Sequence, residues 1–284
     1  MSRAARLVTL LAAGALALGG CDKLPGRGSK LGIDKDRLEA ALDPAVGGPD
    51  TCVVIKDVAT GAEAYRYGAE SVCNRPLAPC ATFQAPMTVI GLSDGKVTPG
   101  EVWAWDGKVQ PYKLWEHDTD LAGAWKTGAG WYFQKLALAI GPERFKQQLS
   151  AFGYGQGAAI GRPDGFWMGP AAGGGLFLST RNQADFLRKL AQGSLPAKPD
   201  AQAAVITLMA DTTRGQTVLS DIGAKCPSIA DASRDVSWWA GRIRGPGKDL
   251  VFALSIDSQN PLSGLEIRSR MLPILTANGL LPAS

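Results

Sequence analysis

Pro79-Cys80-Ala81-Thr82-Phe83-Gln84-Ala85-Pro86, running on through Ile90-Gly91-Leu92 to Gly95, opens a stretch of mostly helical patterning with glycine-rich loops, about residues 82 to 210. Strand signals lie on either side of it. Upstream, Cys52-Val53-Val54-Ile55, a turn at Ala59-Thr60-Gly61-Ala62 and Glu63 to Tyr67 spell a β-hairpin. A short amphipathic helix precedes it from Asp34 to Asp43, with Leu38, Ala41 and Leu42 on one face. Downstream, Ser237 to Arg242 and Leu250 to Ile256 form a second hairpin across Arg244-Gly245-Pro246-Gly247. Ser263 to Gly279 closes the chain as a helix, with a buried stripe expected at Leu265, Met271, Leu272 and Leu275. Hairpins at both ends around a helical middle predict an α+β fold. The simplest assembly is an antiparallel sheet made from both chain ends and flanked by helices, with a helical lobe inserted.

Composition narrows the chemistry. The chain has 284 residues, 45% hydrophobic and 20% charged, an ordinary globular balance. Its single histidine, His117, excludes a two-histidine zinc site. It lies between Glu116 and Asp118 in a polar turn, with no serine-and-acid signature to make it a catalytic base. No metal or cofactor is expected. No phosphate-cradling glycine motif is present. Thirty basic against 26 acidic residues is too balanced for a nucleic-acid stripe.

The first 20 residues read as a secretory signal: Arg3 and Arg6, an apolar run from Leu7 to Leu18, then Gly19-Gly20-Cys21. That ending resembles a bacterial lipobox, so a lipid is expected on Cys21. Residues 21–32 read as a flexible tether, and 33–284 as one domain. The expected location is the periplasmic face of a bacterial membrane.

The opening stretch resembles the active-site helix of class D β-lactamases, which reads P-x-S-T-F-K-x-P, then I-G-L and a glycine. Other segments resemble the same family in order: Trp105-Asp106-Gly107, Trp115-Glu116-His117-Asp118, Tyr154-Gly155-Gln156, Phe166-Trp167 and Trp238-Trp239-Ala240-Gly241. Leu265-Glu266-Ile267-Arg268 resembles the carboxylate-binding arginine region before the last helix. The resemblance spans about residues 45 to 281. It implies the serine β-lactamase/DD-peptidase fold.

The same resemblance marks four departures. Ala81 stands where the family has its nucleophilic serine, and a methyl group cannot attack a carbonyl. Gln84 replaces the lysine base, and an amide nitrogen is not basic. The second motif, S-x-V, falls on Gly128-Ala129-Gly130, and the third, K-T-G, on Lys225-Cys226-Pro227. Lys126-Thr127-Gly128 spells K-T-G in a helix region, where that motif has no use. Loss of a nucleophile costs on the order of 10⁶ in turnover. The resemblance therefore implies an impaired enzyme that binds a cell-wall peptide or a β-lactam without bonding to it, or acts through a protein partner. The alternatives are weak hydrolysis through a substitute residue such as Thr82 or Thr127, and a pure interaction scaffold. Lys225 and Arg268 are expected to hold a ligand carboxylate, Trp167 to offer a wall, and backbone N–H groups at Ala81 and near Ser228 to form an oxyanion-type pocket. The plainer roles are a solvated strand charge, a helix ion pair and core packing.

With Cys21 lipidated, four cysteines remain and three pairings are open. Cys80 lies immediately before the nucleophile position and Cys226 on the strand that lines the same pocket, and some class A carbapenemases carry a disulfide between those two elements. That resemblance implies Cys80–Cys226, and with it Cys52–Cys73. A reactive Cys80 thiol would need a nearby base, and the sequence supplies none.

Overall fold

A computed structural model describes residues 33–155, 162–169, 175–229, 231 and 233–283. The expected signal, Cys21, the tether and Gln156 lie outside the described residues.

Helix α1 (Lys35–Val46) leads into the first hairpin, β1 (Thr51–Asp57) and β2 (Glu63–Tyr67), followed by the single turn α2 (Glu70–Cys73). A 3₁₀ turn over Cys80–Phe83 enters α3 (Gln84–Ser93). Helices α4 (Leu121–Thr127), α5 (Gly130–Ile140) and α6 (Pro142–Phe152) complete the lobe. Then come α7 (Thr180–Ala191), α8 (Pro199–Leu208), β3 (Ala210–Arg214), β4 (Thr217–Pro227), β5 (Asp235–Gly245), β6 (Lys248–Ser258) and α9 (Gly264–Ala277). The six strands form one antiparallel sheet in the order β2-β1-β6-β5-β4-β3. The sheet does unite both chain ends around an inserted helical lobe, as the pattern predicts.

Both faces of the sheet are covered, so β1 reads as an unbroken apolar run. Successive side chains alternate between faces: Cys52 and Val54 join the lobe-side core with Phe83 and Val89, while Val53 and Ile55 join the core under α1 and α9. Asp34 caps α1 through the Arg37 N–H, and Ser263 caps α9 in a reciprocal capping box with Glu266.

The α9 stripe departs from expectation. Leu265 is 78% exposed, and the buried positions are Ile267, Met271, Ile274 and Leu275. The first turn of α9 meets the sheet through Gly264, not Leu265. A Cβ on Gly264 would fall 2.5 Å from the Gly223 Cα of β4, so two glycines let helix and strand backbones touch. The helix is rotated to make that contact, which turns Leu265 outward.

Arg144 of α6 grips the C-terminal end of α3 by a bidentate pair to Asp94, both bonds 2.7 Å. That hydrogen bonding outweighs burial and holds the Asp94 carboxyl below its ordinary range. A depressed carboxyl contributes stability above its unfolded value and loses it as pH falls through the folded one. Asp94→Asn is therefore expected to lower the melting temperature near neutrality and to have progressively less effect as pH drops towards about 3, read by thermal melts across that range.

Candidate functional site

The chain between β2 and α3 is pinned at several points. Cys80 is bonded to Cys226 of β4 across 146 residues, and Cys52 of β1 to Cys73 of α2 across 21. Both bridges agree with the implied pairing. The Cys80 N–H donates to the Trp167 carbonyl at 3.0 Å, and the Trp238 indole to the Ala78 carbonyl at 2.8 Å. Leu77 and Leu178 exchange two backbone bonds. Thr82 Oγ1 donates to the Pro79 carbonyl at 2.5 Å. Cys80 needs such restraint, because at φ +51° it is the one non-glycine residue described in the left-handed region. That conformation costs on the order of 1–3 kcal/mol and persists where surrounding contacts over-determine it.

On the lobe side an aromatic cluster backs the turn. Phe83 stacks on Trp167 at 5.4 Å and meets Phe145, Tyr154 and Phe166. Trp167 is buried, so the structure assigns it core packing rather than an open wall. The Tyr154 hydroxyl donates to Gln183, and burial pushes it well above the ordinary phenol range, so it stays protonated. On the sheet side, Leu77, Ala78, Cys80, Ala224, Cys226 and Trp238 share a small core, with half-buried Ala81, Met168 and Ile229 packed on it. The surface beside Ala81 is therefore apolar. Gln84 follows at the start of α3, 7% exposed, its side chain free of hydrogen bonds among the described residues. Gly169, at φ +91°, brings its segment to the end of β4, where a Cβ would fall 2.7 Å from the Pro227 carbonyl. Ser228 is buried there, its N–H donating to the Arg234 carbonyl at 2.9 Å.

Two predicted ligand contacts do not converge on Ala81. Alternation along β4 turns Cys226 towards Cys80 and Lys225 to the opposite face, where Lys225 pairs with Asp235 at 3.3 Å. Arg268 lies inside α9, not before it, and is held by Asp221, Asp211 and Thr212. Asp221 is deeply buried; desolvation raises its carboxyl despite the Trp239 indole and Arg268 beside it. The expected carboxylate grip is thus occupied by carboxylates of the chain itself. Strand period was the signal available for this: adjacent residues such as Lys225 and Cys226 cannot face one pocket. What sequence reasoning missed is the set of acidic partners, together with Trp238, Met168 and Ile229 around the turn.

Both substitute hydroxyls already donate a hydrogen bond within the chain. Thr82 is fully buried, and Thr127 Oγ1 donates to the Gly123 carbonyl at 2.9 Å one turn back in α4. Gly128 ends α4 at φ +69° and so fills a capping role. His117 is exposed. Among the described residues, no cluster of three or more His, Cys, Asp or Glu could hold a metal ion.

Residues 51–272 match the penicillin binding protein transpeptidase domain. The chain belongs to that family. Among relatives of this transpeptidase-family chain, Beta-lactamase OXA-5 of Pseudomonas aeruginosa is 31% identical over 205 residues, covering 72% of this chain and 75% of that protein. Beta-lactamase OXA-48 of Klebsiella pneumoniae is 30% identical over 185 residues, covering 65% and 67%. The solved class D β-lactamase from Bacillus subtilis superposes with a TM-score of 0.74 at 27% identity, covering 85% of this chain and 97% of that one. BPu1 β-lactamase gives the same TM-score at 24% identity, a likeness of fold alone. The transpeptidase-family sheet and lobe are those expected from the opening stretch.

Proposed function

We propose that this chain is a catalytically impaired member of its family, a binding protein rather than a hydrolase. The observation that carries the reading is the head of α3: Ala81 beside Gln84, where the family resemblance puts a serine and a lysine. Neither side chain supplies a nucleophile or a base. The buried, internally bonded Thr82 offers no substitute. The proposed ligand is a peptidoglycan stem peptide or a β-lactam held without a covalent bond, with the Ala81 backbone and the Ser228 region as its nearest contacts. Lys225 and Arg268 join such a site only by exchanging their present carboxylates for the ligand's, and leaving Asp221 buried without its cation is costly.

We further infer that Cys21 carries a lipid and holds the domain at the periplasmic face of a membrane. The support is the signal-like run ending in Leu18-Gly19-Gly20-Cys21. Metabolic labelling with an alkyne fatty acid is expected to tag the wild type and not Cys21→Ala; equal labelling of the two contradicts it.

Binding is tested by thermal shift with a synthetic stem pentapeptide and with benzylpenicillin. A ligand at a hundred times its Kd adds about 2.7 kcal/mol, roughly a 5–10 °C rise for a domain of this size. No rise with either compound removes the binding reading and leaves the scaffold. Nitrocefin turnover that disappears in Thr82→Ala would overturn the impairment itself.

A further inference from the structure

The Cys80–Cys226 bridge fixes the head of α3 at the end of the sheet where β4 finishes. Strand pairing gathers three turns at the opposite end. Asp57 of β1 faces Leu250 of β6, Gly245 of β5 faces Lys248, Val218 of β4 faces Arg244, and Arg214 of β3 faces Thr217. Two helices add their ends to the turns. Gln192, just past α7, donates to the Val58 carbonyl at 2.7 Å, and a Cβ on Gly61 would fall 3.3 Å from the Arg188 guanidinium carbon. Helix α1 runs antiparallel to β2: Asp43 accepts from the Tyr67 hydroxyl at 2.7 Å, and one turn earlier the charge of Glu39 acts on the Tyr65 phenol. The first turn of α1, with Lys35 and Arg37, therefore reaches the same end.

Charge is unevenly shared between this end and the rest. Residues 33–284 hold 25 basic and 25 acidic side chains, five and one fewer than the whole chain. The segments 34–37, 57–63, 188–192, 214–217 and 242–249 hold eight basic against five acidic ones, which leaves the remainder at −3. Four of those five carboxylates are engaged. Asp34 caps α1, Asp57 accepts from Thr60, Glu63 pairs with Arg66 and Arg181, and Asp249 with Arg242. Asp36 alone has no such partner among the described residues. Of the eight cations only Arg242 is in an ion pair there. Lys248 and Arg214 donate to the Gly279 and Pro282 carbonyls, Lys189 to the Phe152 carbonyl and Arg188 to Gln192, neutral acceptors that leave the charge uncancelled. Lys35, Arg37 and Arg244 are exposed, with no side-chain partner among the described residues.

The start of the domain selects the occupant. Ile33, the first residue described, shares the core under α1 and α9 with Leu280 and Leu281. Cys21 stands twelve residues ahead of it in the sequence, about 40 Å at full stretch. The stretch between carries Lys23, Arg27 and Lys30 against Asp22. A lipid on Cys21 keeps this end of the sheet within reach of a bilayer, where unpaired cations meet anionic headgroups. Each lysine or arginine close to such a surface strengthens binding about fivefold, and salt screens the attraction within roughly 10 Å. None of the exposed large apolar side chains described lies in these segments. The contact is therefore one of charge on headgroups, without insertion into the acyl region.

We propose that this end of the sheet is a docking surface for anionic phospholipid headgroups, which orients the domain with the head of α3 turned away from the membrane. The orientation rests on the lipid-anchor reading of Cys21; the surface itself is tested without the lipid. The chain from residue 21 onward, carrying Cys21→Ala, is sedimented with phosphatidylcholine vesicles that do or do not contain 30% phosphatidylglycerol. Binding is expected only to the anionic vesicles, at low salt, with release in 0.5 M NaCl. Arg244→Glu, which removes one attraction and adds one repulsion, is expected to weaken binding roughly ten- to thirtyfold. Arg37→Glu, on a different element, is expected to act in the same direction. Lys126→Glu, an equal change of charge on the helical lobe, is expected to bind as the parent does, and all three to keep the parent's melting temperature. Absence of binding to anionic vesicles overturns the proposal, as does equal binding to neutral ones. Parental binding by Arg244→Glu would assign the attraction to Lys23, Arg27 and Lys30, and an equal loss in Lys126→Glu would assign it to net charge; either overturns it. Failure of the fatty-acid labelling at Cys21 leaves these vesicle results unchanged, so the two readings fail separately.

Discussion

Replacing Cys80 and Cys226 together by alanine is expected to lower the melting temperature by about 10 °C or more, read by calorimetry under non-reducing conditions. The bridge closes 146 residues of chain. On the loop-entropy account a closure of that length restricts the unfolded state by about 5 kcal/mol, against about 3 kcal/mol for the 21-residue Cys52–Cys73 loop. At roughly 2–4 °C per kcal/mol for a domain of this size, the first bridge carries the larger shift. It also has a local task, because it holds Cys80 in its left-handed conformation. The double variant is therefore expected to exchange the amides of residues 80–83 faster, while those of β1 beside the second bridge stay protected. A fall no larger than that of the matching Cys52/Cys73 variant would contradict this assignment.

Trp238→Ala is expected to cost about 3–5 kcal/mol, the usual range for a buried tryptophan. Its ring is fully buried against Cys80 and Cys226, and its indole is the donor to the Ala78 carbonyl. The substitution leaves both a cavity and a buried carbonyl without its partner. Trp238→Phe separates the two effects by restoring most of the volume and none of the hydrogen bond, and is expected to recover more than half of the loss. Urea titration with unchanged m-values checks both. A cost under 1 kcal/mol for Trp238→Ala would show that the turn is held by other means.

Much of this fold was legible because its signals are local. The β1–β2 and β5–β6 hairpins announce themselves by turn residues between apolar runs, and Ser263 with Glu266 spells the cap of α9. Strand β3 was not legible: Ala210-Asp211-Thr212-Thr213-Arg214 is polar and mostly exposed, since an edge strand pairs on one side only. The outward turn of Leu265 was equally hidden, because it follows from a contact between Gly223 and Gly264 that are 41 residues apart in the numbering.

The site divides the same way. Which residue types stand at the head of α3 can be read directly, and so can the chemistry they lack. Where Lys225 and Arg268 spend their charge cannot, because Asp235, Asp221 and Asp211 reach them only through strand register and the docking of α9 on β4. The disulfide joining the 3₁₀ turn before α3 to β4 lies in between. The pairing was implied by resemblance, but its consequence, an apolar surface of Ala81, Met168 and Ile229 over a sulfur bridge, emerges only once the segments are packed.

The central claim is that the head of α3 no longer performs acyl transfer, and the mass of the intact protein tests it most directly. Purified chain is incubated with a fluorescent penicillin in excess and measured by intact-mass spectrometry and in-gel fluorescence. The account predicts an unmodified mass and no fluorescent band; a stable adduct of one penicillin per chain would contradict it.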